Sequence, residues 1–262
     1  MYNATPRSAA AWRALFSRAH ADAGLDIEII EHKWPLPIDE LWSRDNLCGA
    51  FMCGWPFVRS EAGMQAIAAP VPSAARYEDQ PRYCSEFLAR EESGWTTLEQ
   101  AFGHRFGWMA ANSQSGFNAP RAHLSRYVSA AGPSLFAEVM GPLGAPAQAL
   151  GALAEGTVDL IALDGFYLDL LRQHEPAKLA GLRCIAMTAW TPIPLLVAAP
   201  AVPPETVERL RAHLLKLHEQ PSYAPLLAEA GVRRFAPADP DSYAMLEEMA
   251  RDAAARGYEV IR

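Results

Sequence analysis

Ser113, Gln114 and Ser115 put three neutral hydrogen-bonding side chains at one point of the chain, between an apolar run and a helical pattern. The run Phe106 to Ala111 reads as a strand, and Phe117, Leu124, Tyr127 and Val128 are spaced to share a helix face. The polar turn Asn112-Ser113-Gln114-Ser115-Gly116 therefore opens a helix at the end of a strand. First-turn N–H groups have no acceptor within their own helix, and the helix dipole places its positive end there, so the turn suits an anion. The two serine hydroxyls add donors, and Gly116 lets a ligand approach the backbone. The same residues also make an ordinary N-cap, and capping alone accounts for Ser-x-Ser-Gly before a helix.

Asp164 marks a second polar strand end. Its carboxylate can accept from an acidic hydroxyl or an amino substituent and would repel a fully ionised dianion; it is equally placed to cap the helix Phe166 to His174. The third is Cys53-Gly54-Trp55-Pro56, which reads as a tight turn. Tyr2, Trp55 and Tyr167 can wall a pocket or simply pack in a core. Bond-making chemistry has less support. Cys48, Cys53, Cys84 and Cys184 form no Cys-x-x-Cys pair and no His/Cys cluster of metal spacing, so no metal or cofactor is called for. His213 and His218 are five apart and read as a solvated surface, and there is no Gly-x-Ser-x-Gly elbow, His-Glu-x-x-His site or P-loop.

The elements that must position these residues follow from pattern. Thr5 and Pro6 start a helix whose stripe Ala10, Ala11, Leu15, Phe16 and Ala19 ends near Gly24. Asp26 to Glu31 alternates as a half-buried strand, a short helix spans Ile38 to Trp42, and Leu47 to Cys53 reads as a buried strand. Further strands are expected at Gln65 to Val71, Tyr83 to Arg90, Val158 to Leu163, Cys184 to Thr188 and Leu195 to Ala199, with helices at Ala147 to Glu155 and Phe166 to His174. Ser73 to Gln80 reads as a polar loop. From Pro203 onward the chain reads as mostly helix, with Val207, Leu210, Leu214 and Leu217 in phase and Met245, Leu246, Met249 and Ala253 later.

With 262 residues, 50% hydrophobic and 20% charged, the chain can bury a substantial core in one large domain or two lobes. The balance of 23 basic and 30 acidic residues, net −7, gives no reason to expect nucleic acid or an acidic membrane as partner. No segment is apolar over the roughly 20 residues a spanning helix needs. The 21 prolines punctuate many short elements, and strands alternating with helices argue for α/β architecture with mostly parallel sheets. Ligands of such sheets bind beyond the carboxyl ends of the strands. Two extended crossings, near Tyr83 to Phe87 and Thr188 to Pro194, divide the chain into a discontinuous first lobe, 1–82 and 193–262, and a continuous second lobe, 83–192, with a cleft expected between them. Tyr83 and Thr191 are the hinge candidates.

Gly49-Ala50-Phe51-Met52-Cys53-Gly54-Trp55-Pro56, Asn112-Ser113-Gln114-Ser115-Gly116-Phe117-Asn118-Ala119, Val158 to Asp164, and Thr188 to Pro194 together resemble the phosphate/phosphite/phosphonate-binding proteins of ABC importers. The resemblance runs in order from Met1-Tyr2 to about Ala199 and weakens in the helical tail. It implies a type II periplasmic-binding-protein fold, two α/β lobes with mixed, mostly parallel sheets and a two-stranded hinge, closing on a small oxyanion without catalysis. On this basis Ser113, Gln114, Ser115 and Gly116, joined by Asn118, hold the anion from the second lobe. Tyr2, Gly54 and Trp55 close over it from the first, Asp164 stands opposite, and Tyr167 lines the site. The implied partners are a small anionic ligand and an ABC permease and ATPase, with the protein a monomer or weak dimer.

The resemblance implies a periplasmic location. Residues Met1 to Pro6 lack the basic start and apolar core of an export sequence, so the chain either stays in the cytoplasm or has lost its leader. In the family a strand precedes the Met-Tyr position, and the first strand is expected to be missing here. The rival expectation is an enzyme on the same fold, of the thiamine-pyrimidine or menaquinone pathway type, with Cys53 as nucleophile and His104 or His123 as base. A cytoplasmic small-ligand sensor is a further alternative.

Overall fold

The computed structural model describes residues 2–32, 35–128 and 134–262; Met1, half of the Met-Tyr pair, lies outside them. The chain divides into two units. The first contains residues up to Arg82, Asp169–His174 and Pro192–Ser242; the second contains Tyr83–Leu168, Glu175–Thr191 and Tyr243–Arg262.

In the first unit the helix Pro6–Asp22 starts where its sequence says. Thr5 Oγ1 accepts from Ser8 N at 3.0 Å and Ser8 Oγ accepts from Thr5 N at 2.9 Å, a reciprocal cap ahead of Pro6. Trp12 and Leu15 turn inward, and Trp12 meets Phe51 edge-on at 5.1 Å. The sheet runs in the order Ala50–Met52, Leu195–Ala198, Gln65–Pro72, Val232–Ala236. Every pairing in it is antiparallel, against the mostly parallel expectation. Periodicity reports how buried a strand is, not which way its neighbour runs.

Three local expectations change. Asp26 to Glu31 alternates in exposure but joins no strand. Gly54-Trp55-Pro56 is the first turn of the helix Gly54–Arg59, where proline's missing N–H costs no hydrogen bond. The tail read as helix contains the strand Val232–Ala236 beside the helices Pro204–Leu214 and Ala224–Glu229.

In the second unit the sheet order is Glu138–Met140, Arg105–Gly107, Leu160–Asp164, Ser85–Arg90, Leu182–Met187. Arg105–Gly107 runs parallel to both its neighbours, while Ser85–Arg90 runs antiparallel to both of its own. Phe87, Phe106, Leu124 and Leu160 are fully buried in the core, which also takes Tyr258 and Ile261. The segment Tyr243–Arg262 therefore belongs with the second unit, not with the first-lobe span 193–262. Arg121 Nη1 donates to Glu259 O at 2.7 Å and Leu135 N to Arg262 O at 2.6 Å. Sequence adjacency to the first unit's helices concealed this return. Arg82–Tyr83 and Thr191–Pro192 pair as a two-stranded ribbon where the chain passes between units, with Tyr83 and Thr191 both buried.

Candidate functional site

The strand Arg105–Gly107 leads to a continuous helical stretch: a π turn Gln114–Asn118, the α-helix Ala119–Leu124 and a 3-10 turn Ser125–Tyr127. The wide first turn has a local cause. Pro120 has no N–H to donate backward, and the carbonyl of Gly116 accepts instead from Met109 N at 3.3 Å, outside the helix. Asn118 N reaches past it to Ser113 O at 3.0 Å. Ser113 is the N-cap: its Oγ accepts from Gly116 N at 2.9 Å, while its own hydroxyl proton stays available to donate.

Gly116 has a different reason from the one its sequence suggests. A Cβ there would lie 2.7 Å from Met109 Cβ, so the glycine admits Met109 rather than a ligand, and its N–H is taken by the cap. Ser115 is buried, and among the described residues its hydroxyl makes no hydrogen bond.

Gln114 is fully buried and carries the informative atom. Its Oε1 accepts from Asn118 Nδ2 at 2.8 Å, whereas its Nε2 has no hydrogen-bond partner among the described residues. The orientation is fixed by the neighbours. Arg121 Nη2 can only donate, so Asn118 must present Oδ1 to it, at 2.7 Å. Leu246 O can only accept, so Asn118 presents Nδ2 to it, at 3.0 Å. Both Nδ2 protons are then engaged by Leu246 and Gln114. Turning either amide over would set like groups against each other. Among the described residues Gln114 is thereby left with an unsatisfied buried donor, of the kind whose desolvation costs about 1 to 3 kcal/mol unless a further group pairs with it.

Asp164 ends the strand Leu160–Asp164, and its Oδ1 accepts from Phe166 N at 2.7 Å and Tyr167 N at 3.0 Å. It caps the helix Gly165–His174. Tyr167 is buried, and burial first, then the charges of Glu175 and Asp164, pushes its hydroxyl up to about 12, so it stays protonated. In the first unit, Tyr2 is buried against Trp12 and Phe51, at ring distances of 6.2 and 5.3 Å, as part of the aromatic core. Gly54 and Trp55 are buried in the first turn of their helix, and Arg59 lies 4.9 Å from the Trp55 ring.

The thiol chemistry gains nothing from the geometry. Cys53 is a half-buried N-cap residue of the first unit. His104 and His123, in the second, are held by ring contacts: His104 with Trp95 at 4.6 Å, His123 with Phe87 at 5.4 Å. Burial holds the His123 imidazole below its usual range, with Arg126 adding to the effect. Among the described residues no group of three His, Cys, Asp or Glu side chains is placed to hold a metal.

Arg121 is the participant that sequence reading missed. It stands three residues after Asn118 and seven after Gln114, a spacing that places all three on one helix face, and that was the available signal.

The family model for the periplasmic substrate-binding protein of phosphonate ABC transporters matches residues 49–243. A comparison with curated proteins found no match. Among solved structures, a binding protein component of an ABC phosphonate transporter from Pseudomonas aeruginosa superposes with TM-score 0.78 at 17% identity, over 95% of this chain and 82% of that one. PhnD1 from Prochlorococcus marinus (MIT 9301), in complex with methylphosphonate, gives TM-score 0.73 at 17% identity over 92% and 91%. A Xanthomonas citri protein bound to ATP gives 0.63 at 20% identity over 94% and 92%. At these identities the likeness is one of fold.

Proposed function

Because this chain belongs to the family of periplasmic substrate-binding proteins of phosphonate ABC transporters, we propose that its turn Ser113–Gly116 binds a small phosphorus oxyanion for delivery to a permease and ATPase. The observation that carries this reading is the buried Nε2 of Gln114, which has no hydrogen-bond partner among the described residues. Phosphate, phosphite and phosphonates each present several acceptor oxygens, which suit a group of neutral donors. Attraction then comes from hydrogen bonds and the helix start, without a bound lysine or arginine. Arg121, a buried cation of this network, donates to Glu259 O and to Asn118 Oδ1. The methylphosphonate in the Prochlorococcus structure is the first ligand to test here.

Phosphate, phosphite, methylphosphonate and 2-aminoethylphosphonate should raise the melting midpoint in proportion to affinity, by mass action. Ser113→Ala and Ser115→Ala should each weaken binding by about 1 to 3 kcal/mol. Unchanged affinity in the double variant would refute the assigned turn.

A further inference from the structure

We infer that Asn118 and Arg121 are positioning residues that hold the Gln114 amide in its donor sense, and that the carbonyls of Leu246 and Glu259 anchor them. A glutamine amide is reversible: one face donates, the other accepts, and the two are nearly isosteric. At an anion site the wrong face replaces attraction with repulsion, so something must set the choice. Here a chain of groups with only one possible role sets it. Arg121 is buried and cannot accept; it donates to Glu259 O at 2.7 Å and to Asn118 Oδ1 at 2.7 Å. Asn118, with Oδ1 so fixed, donates to Leu246 O at 3.0 Å and to Gln114 Oε1 at 2.8 Å. Gln114 then has one remaining face, Nε2, fully buried and without a partner among the described residues. Asn118 thus acts through Gln114 rather than touching the ligand, which revises its expected direct role.

The consequence is a ligand rule. The group facing Gln114 must be an acceptor, such as an oxyanion oxygen, and an ammonium or other pure donor is rejected there. The inference rests on the phosphorus-oxyanion reading for its ligand and on the side-chain network alone for its mechanism.

Two measurements on the full chain test these parts separately. The first is a double-mutant cycle read by titration calorimetry with methylphosphonate. In Asn118→Asp the new carboxylate cannot donate to Gln114 Oε1, so the amide turns over and offers its oxygen to the ligand; affinity should fall about tenfold or more. In a Gln114→Ala background the same change should alter affinity less than about twofold. An equal loss in both backgrounds, or no loss in either, overturns the relay. The second measurement needs no ligand, and its deciding arm is read on the wild type, so it survives a variant that fails to fold. The side-chain amide protons of Asn118 should exchange slowly in the wild type, and Arg121→Met should abolish that protection while Arg121→Lys restores part of it. Fast exchange in the wild type overturns the relay. Failure of the wild type to bind phosphate, phosphite or methylphosphonate overturns the proposed ligand, and the exchange data then decide the relay by themselves.

Discussion

Two strand-to-helix connections in the second unit look alike in sequence and finish differently. Each carries a polar residue ahead of its helix, Asp164 at the end of its strand and Ser113 beyond the end of Arg105–Gly107. At Asp164 the polar group closes on its own chain: one carboxylate oxygen takes the amides of Phe166 and Tyr167. At Ser113–Gln114 the cap is partial. Ser113 satisfies Gly116 N, and Gln114 is held by one end with its other end unpaired among the described residues. The difference lies in the supporting network, not in the turn itself. Asp164 caps the helix it starts, whereas Gln114, the proposed binding residue, is oriented from one end and has no partner for the other among the described residues.

The comparison breaks most readily at Gln114. Gln114→Glu replaces the free donor with a carboxylate, and like charge facing an oxyanion costs several kcal/mol, so methylphosphonate affinity should fall more than about a hundredfold. Calorimetry that finds binding intact would place the ligand elsewhere.

The start of the strand Leu160–Asp164 offers a contrast by pH. Hydrogen bonds from Arg105 first, then Arg90, hold the Asp159 carboxyl down to about 2 from its ordinary 3.8. A carboxyl depressed in the folded state stabilises fully above its unfolded value and loses that contribution as pH falls through its folded value. Roughly 2 kcal/mol should therefore disappear between about pH 4 and 2. Acid unfolding of Asp159→Asn should be flatter across that window, with oxyanion affinity at neutral pH unchanged.

Gly116→Ala forces Met109 to move, because the contact is with its Cβ rather than its mobile end. Overpacking of this kind should cost about 1 to 2 kcal/mol in urea-measured stability. The smallest effect is expected at the closed turn. Asp164→Ala should cost about 1 kcal/mol of stability through the lost cap. It should change methylphosphonate affinity less than Ser115→Ala does; the reverse order would make Asp164 a ligand residue.

Much of the fold was legible because strong local signals agree with tertiary need. Thr5-Pro6 starts a helix, Ile38–Trp42 is a short one, and the apolar run before Asp164 is a buried strand followed by the helix Gly165–His174. What was illegible depends on distant partners. Asp26 to Glu31 has a strand's alternation, but pairing is not encoded by alternation. Val232–Ala236 is a strand because Gln65–Pro72 lies beside it. At the candidate site, Ser113, Gln114 and Ser115 could be singled out from residue type. The donor sense of Gln114 could not, since it is set by carbonyls of Leu246 and Glu259, respectively 128 and 138 residues beyond Asn118 and Arg121.

That long reach bears on how the protein matures. Residues Pro192–Ser242 of the first unit lie in sequence between most of the second unit and the segment Tyr243–Arg262 that completes its network. Ordering contacts so remote in sequence carries a loop-closure cost and slows assembly. The contacts that orient Gln114 should therefore lock late in the folding of the second unit, after most of its sheet.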